Sequence, residues 1–205
     1  MKTLTEIADF YKTDKGTLFH NYTSIYESLF EPLRQLPLKI LEIGIDRGYS
    51  LCMWREYFPN ATIYGYDINK IKQRKARRWG SERLILYQGD QSKREDWNGF
   101  IQTHGADFDI IVDDGSHMSE HILISLGYLF PSVKSGGIYL IEDLGADMAQ
   151  EAQNVLGSFK ETQQIKTSHI YTSEQYYLCK HTRHCCFLEE EKKLFVLFKA
   201  CFDHF

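Results

Sequence analysis

Two acidic pairs and a histidine carry the most chemistry in this sequence. Asp113-Asp114-Gly115-Ser116-His117 closes one short apolar run, and Glu142-Asp143 closes another at 137–141. If the two runs are neighbouring strands, Asp114, Glu142 and Asp143 converge. Three carboxylates that close repel one another strongly unless a cation lies between them. All-oxygen ligands favour Mg2+, Mn2+ or Ca2+ over zinc, and Mg2+ would keep positions open for water or for two neighbouring hydroxyls. A hydroxyl held there gives up its proton more readily, and His117 is placed to accept it. The plainer alternative makes Asp113 and Asp114 helix caps, with Glu142 and Asp143 as solvated loop acids. Two such pairs on adjacent strand ends, together with a histidine, favour the metal. His121 shares a helix face with His117. The intervening Met118-Ser119-Glu120 does not make the H-E-x-x-H zinc pattern, so His121 reads as a support behind the site or as a helix hydrogen bonder.

A second group of residues suits a nucleoside. Leu41-Glu42-Ile43-Gly44-Ile45-Asp46-Arg47-Gly48-Tyr49-Ser50 runs from a strand through a turn into a helix. Gly44 permits a tight turn, and Gly48 permits close approach of a ligand or of the helix. The spacing is E-x-G-x-x-x-G, and Asp46 inside the loop would repel a diphosphate. Such a loop better suits a ligand carrying an ammonium or sulfonium group. Tyr64-Gly65-Tyr66-Asp67 ends the next strand with an acid able to accept from two ribose hydroxyls. Gly89-Asp90-Gln91 ends the third, where a carboxylate and an amide suit an adenine edge. A generic α/β turn with a capping Asp would explain one of these strand ends; three that agree favour nucleoside binding.

The elements that must position these residues alternate. Strand-like runs are expected at Lys39–Ile43, Thr62–Asp67, 83–88, 109–112 and 137–141, with helices at 49–58, 70–79, 92–103 and 119–130. That order predicts parallel βαβ units with ligands at the carboxyl ends of the strands, an α/β sandwich of the Rossmann-like kind. Residues 1–36 read as a helical lead-in, with Tyr26, Leu29, Phe30 and Leu33 at helical spacing. In the tail, 165–171 and 194–198 are expected to form two last strands, as an antiparallel hairpin at the sheet edge. No repeat or linker interrupts the chain, which reads as one domain over 1–205.

Composition narrows the partners. The chain has 205 residues, with 24 Lys+Arg against 28 Asp+Glu and a formal charge of −4, so nothing electrostatic points to nucleic acid. No apolar run approaches a membrane span, and the first residues lack the apolar core of a signal peptide, so cytoplasmic residence is expected. Five cysteines without regular spacing read as reduced thiols. The Cys/His-rich stretch 179–186 suits a buried-thiol loop better than zinc, because adjacent Cys185 and Cys186 give poor tetrahedral geometry. The basic run at 70–78 reads as a solvated helix face, with contact to an anionic substrate group as the sharper alternative.

These motifs together resemble the class I S-adenosylmethionine-dependent methyltransferases, and within them the macrocin/mycinamicin-type sugar O-methyltransferases. The resemblance rests on Asp14-Lys15-Gly16 with His20-Asn21-Tyr22-Thr23, on Leu41 to Gly48, and on Trp54-x-x-Tyr57-Phe58-Pro59-Asn60-Ala61. It continues through Tyr64 to Ile68, Gly89-Asp90-Gln91, Asp113 to His117 and Ile141-Glu142-Asp143-Leu144. It implies a cofactor lying along Thr23, Glu42, Gly44, Gly48, Ser50, Asp67, Asp90, Gln91 and Asp114. It also implies Mg2+ on Asp114, Glu142 and Asp143, with His117 as general base. The acceptor it implies is a sugar hydroxyl on a glycoside, natural product or polysaccharide precursor, and the working form a homo-oligomer. On this pattern 1–36 is a lid, 37–145 the nucleoside and metal core, and 146–205 a divergent C-terminal part. The alternatives are a catechol-type O-methyltransferase, a nicotinamide-dependent oxidoreductase, against which Asp46 counts, and a degenerate methyltransferase-fold partner protein.

Overall fold

The computed structural model describes residues 1–69, 82–144, 178, 181–188 and 194–200. Two short helices come first, α1 (Leu4–Tyr11) and α2 (Thr23–Phe30). Helix α1 opens on a capping box, in which Thr3 and Glu6 satisfy each other's backbone N–H groups. Alternation then follows: β1 (Lys39–Ile43), α3 (Tyr49–Tyr57), β2 (Thr62–Asp67), β3 (Leu84–Gln88), α4 (Arg94–His104), β4 (Phe108–Asp113), α5 (Ser119–Leu129) and β5 (Val133–Ile141). Strands β6 (Thr182–Leu188) and β7 (Leu194–Lys199) close the series.

All seven described strands form one sheet in the order β3-β2-β1-β4-β5-β7-β6. The five from β3 to β5 are parallel, whereas β7 runs antiparallel to both β5 and β6. Strands β1 and β2 have the bounds read from the sequence, and the others differ by up to four residues at an end. The expected helix at 70–79 and strand at 165–171 lie outside the described residues. The antiparallel hairpin exists, but the partner of β7 is Thr182–Leu188, the stretch read as a thiol loop. Strand alternation explains why cysteines fit there. Cys186 packs with the core on one face of the sheet and Cys185 with the core on the other, so the pair cannot share a metal.

Those two cores position the site. On one face Ile40, Ile63, Val112, Leu140 and Val196 pack against α1, α2 and α3. On the other, Leu41, Ile43, Ile111, Tyr139 and Leu197 pack against α4 and α5, with Tyr66 stacked 3.9 Å from Trp97. Period-two alternation then fixes where each strand-end acid goes. Glu42 follows Ile40 and Glu142 follows Leu140, so both turn toward the N-terminal helices; Asp113 follows Ile111 and turns toward α5. No helix among the described residues is long and apolar enough to cross a membrane.

Candidate active site

The carboxyl ends of β1, β2, β3 and β4 open onto a cleft of about 370 Å³, within the size range of small-molecule sites. Gly44, Asp67, Asp90, Gln91, Asp114, Ser116 and His117 line it. Gly44 is there for two reasons. Its φ is +79°, and a Cβ would overlap the Asp114 carbonyl, so the β1 and β4 loops meet backbone to backbone. Gly48, also at φ +79°, starts α3 in a left-handed conformation. Asp67 is buried and braces the first loop: Oδ2 accepts from Ile45 N–H at 3.0 Å and Oδ1 from Asn69 N–H at 2.7 Å.

The remaining expected cofactor residues divide. Asp90 lines the cleft, and Ser92 donates to it from backbone N–H and hydroxyl, holding its carboxyl below the usual range. Ser50 lines an adjoining recess with Gly44, Asp46 and Asp14, and its hydroxyl donates to Glu42 Oε2 at 2.7 Å. Glu42 itself lies fully buried beneath the loop, with Oε1 lacking a hydrogen-bond partner. Gln91, expected at an adenine edge, turns its amide into the protein instead. Nε2 donates to Asp113 at 2.7 Å and Ser125 at 3.0 Å, while Oε1 accepts from Ser116 N–H, bracing the 113–117 loop. Thr23 is on neither the cleft nor the recess. It is buried at the start of α2, its hydroxyl 2.9 Å from that of Thr5 and its N–H donating to the Lys15 carbonyl. It secures the N-terminal segment, a place that residue type alone does not reveal.

The acidic cluster comes together at the ends of β4 and β5. Asp114, His117 and Asp143 each offer a ligand atom within 4.8 Å of the others. His117 Nε2 lies 3.8 Å from Asp114 Oδ1, and His117 holds φ +57°. Asp143, at φ +51°, accepts from the Tyr22 hydroxyl at 2.8 Å, with His20 Nδ1 at 3.9 Å. Glu142 turns inward, as strand alternation requires: Oε1 accepts from the Tyr26 hydroxyl at 2.5 Å and Oε2 from Lys15 at 2.9 Å. The carboxylate oxygens of Asp114 and Asp143 are the donor type that fits Mg2+ or Mn2+; an imidazole is not, which leaves the His117 ring nitrogens for proton transfer.

Three residues the sequence reading left out of the site are thus part of it: Lys15, Tyr22 and Tyr26, all fully buried. The text Asp14-Lys15-Gly16 marked a segment, but nothing in its spacing shows that the lysine points inward. His121 binds the Ser116 hydroxyl at 2.9 Å, a supporting place like the one expected of it.

Burial raises the Glu42 carboxyl to about 7, against the opposing pull of Lys15, and raises Asp113 to about 6. A carboxyl whose folded pKa is raised binds its proton more tightly in the folded state. Its stabilisation is present in full below the ordinary carboxyl range and lost as pH rises through the folded value. Metal-free protein is therefore expected to melt at a lower temperature at about pH 8 than at about pH 5, and Glu42→Gln to flatten part of that slope. Thermal melts across this range check it; parallel slopes in the two proteins would remove Glu42 as the proton's site.

The strand order, with an antiparallel β7 inserted between β5 and β6 and a nucleoside-sized cleft at the carboxyl ends, defines the class I methyltransferase fold. No protein-family model matches the chain. It is 37% identical over 148 residues to the 8-demethyl-8-(2-methoxy-alpha-L-rhamnosyl)-tetracenomycin-C 3'-O-methyltransferase of Streptomyces olivaceus, covering 69% of this chain and 36% of that protein. It is 36% identical, with the same coverage, to the mycinamicin VI 2''-O-methyltransferase of Micromonospora griseorubida. A solved structure of the MycE methyltransferase from the mycinamycin biosynthetic pathway, in complex with Mg, SAH and mycinamycin VI, superimposes with a TM-score of 0.78 at 27% identity. That match covers 98% of this chain and 55% of MycE. The chain is homologous to the macrocin/mycinamicin-type sugar O-methyltransferases, and the matched stretch spans about a third of the length of these curated relatives.

Proposed function

We propose that the chain transfers a methyl group from S-adenosylmethionine to a sugar hydroxyl of a glycoside, natural product or polysaccharide precursor, in a Mg2+-dependent reaction. The observation that carries this is the meeting of Asp114, His117 and Asp143 at one end of a cleft walled by Gly44 and Asp67. The relatives' activities and the SAH and Mg in MycE support the same reading.

When bound, S-adenosylmethionine supplies a methyl already activated by its sulfonium, and Mg2+ supplies a Lewis acid for the acceptor hydroxyl. The chain aligns the partners and moves one proton. Asp67 would accept from the ribose hydroxyls, with Asp90 toward the base. Gly44, Gly48 and Ser50 would line the methionine end, above Glu42. Asp114 and Asp143, with Glu142 beside them, would hold the metal. His117, lining the cleft beside Asp114, would take the proton of the acceptor hydroxyl. The reading takes the chain to act in the cytoplasm, where Cys52, Cys185 and Cys186 would stay reduced, and as a homo-oligomer.

Calorimetry with S-adenosylmethionine, then a methyl-transfer assay over glycosides and catechols with and without Mg2+, tests the proposal. The expected result is cofactor binding without metal, and turnover of a glycoside only with metal. Turnover confined to catechols would move the enzyme to the catechol class, and binding without turnover on any acceptor would favour a degenerate partner protein.

A further inference from the structure

Lys15 is a buried charge with no part in the reaction just described. Its ammonium is shielded from solvent and has three N–H groups. It lies 2.5 Å from Asp114 Oδ2, 2.9 Å from Glu142 Oε2 and 3.5 Å from Glu42 Oε1. Those three carboxylates come from the carboxyl ends of β4, β5 and β1, neighbours at the centre of the sheet. The lysine arrives from the connection between α1 and α2, and that connection is tied down on both sides. Asp9 accepts from Thr17 N–H and hydroxyl at 2.9 Å each, Gly16 N–H donates to the Thr13 carbonyl, and Thr23 N–H donates to the carbonyl of Lys15 itself. The position of the ammonium is therefore built into the backbone.

Acids gathered to hold a divalent cation repel one another when the cation is away, and buried carboxylates without a counter-charge strongly destabilise a fold. We propose that Lys15 is a positioning residue: a resident monovalent cation that holds the acidic cluster together without metal and weakens the cluster's pull on the divalent ion. This rests on the metal reading given above. One positive charge set among three carboxylates offsets part of the negative potential at the metal position, so the divalent ion binds exchangeably. The segment that carries Lys15 thus belongs to the electrostatics of the site.

The test uses the full chain and Mn2+ as probe, with free Mn2+ read by its electron paramagnetic resonance signal and melting followed with and without the ion. Lys15→Gln is expected to melt at a lower temperature than wild type in metal-free buffer. It is also expected to bind Mn2+ about tenfold or more tightly, since the metal then faces one more uncompensated charge. Lys15→Gln that folds only with Mn2+ present is the same result in stronger form. Adding Glu42→Gln removes one charge of the opposite sign, and this double variant is expected to recover metal-free folding. A Lys15→Gln chain that binds Mn2+ no tighter than wild type, or fails to fold with and without it, overturns the proposal. So does a double variant that recovers nothing, which would make the lysine a packing element. Wild type that binds no Mn2+ while Lys15→Gln does would sink the Mg2+ reading yet leave Lys15 as the cation of the cluster. S-adenosylmethionine binding, measured beside it, reports on the rest of that reading separately.

Discussion

Asp67→Ala is expected to weaken S-adenosylmethionine binding by at least about a hundredfold, measured by calorimetry against wild type. Two losses add in that variant. The carboxylate at the end of β2 is the group proposed to accept from the ribose hydroxyls, and hydrogen bonds to a charged group contribute roughly 1.5–3 kcal/mol each. The same carboxylate accepts from Ile45 and Asn69 N–H, so its removal also frees the glycine loop that shapes the cleft. Asp67→Asn separates the two. Its amide oxygen can keep one of those backbone bonds, so it is expected to fall between Ala and wild type. A Kd for Asp67→Ala within about threefold of wild type would move the cofactor off this strand end, and with it the nucleoside reading of the cleft.

His117→Asn is expected to lower kcat by about 10²- to 10⁴-fold, the usual contribution of a positioned general base, while the Kd for S-adenosylmethionine stays within about threefold. Asparagine is the substitution to use because His117 sits at φ +57°, a conformation that asparagine tolerates and most other side chains resist. His117 lines the cleft beside Asp114, so removing its imidazole deletes the proton acceptor without touching the Asp67 end. Losing cofactor affinity and turnover in equal measure would assign His117 to binding. Retained turnover would pass the proton to another group, His20 beside Asp143 being the next to substitute.

Much of this architecture was legible because it is written in period-two and helical patterns. The runs Lys39–Ile43 and Thr62–Asp67 are strands because β-branched and aromatic residues fill them and glycine or asparagine bounds them. The convergence of Asp114 and Asp143 follows from adjacent parallel strands, and neighbour pairing of β4 with β5 was the natural expectation. What stayed hidden depends on contacts between distant segments. Lys15 and Glu142 lie 127 positions apart, and a lysine in a polar turn reads as a surface residue until the fold is known. The direction of Glu142 was available in principle, since it shares parity with Leu140; grouping it with Asp114 and Asp143 as the ends of neighbouring strands says that they converge but not which face each takes. The bracing role of Gln91 stayed hidden for a related reason: an amide at a strand end looks like a ligand reader, and its spacing does not show the two internal acceptors and one donor that it meets at the edge of the cleft. Thr182–Leu188 was obscured by its ligand-type residues, of which Cys185 and Cys186 pack as small apolar side chains on opposite faces of the sheet.

The contact between Gly44 and the Asp114 carbonyl has a bearing on how such a protein could be redesigned. The half of the cleft assigned to the methyl donor and the half assigned to the acceptor are joined main chain to main chain, with no side chain between them. The separation of donor and acceptor is then set by the sheet itself and is insensitive to rotamer changes around it. Ile68 lines the cleft beside Asp67 and Phe19 lines the recess with Ser50, so substitutions at these exposed side chains would leave that main-chain contact in place.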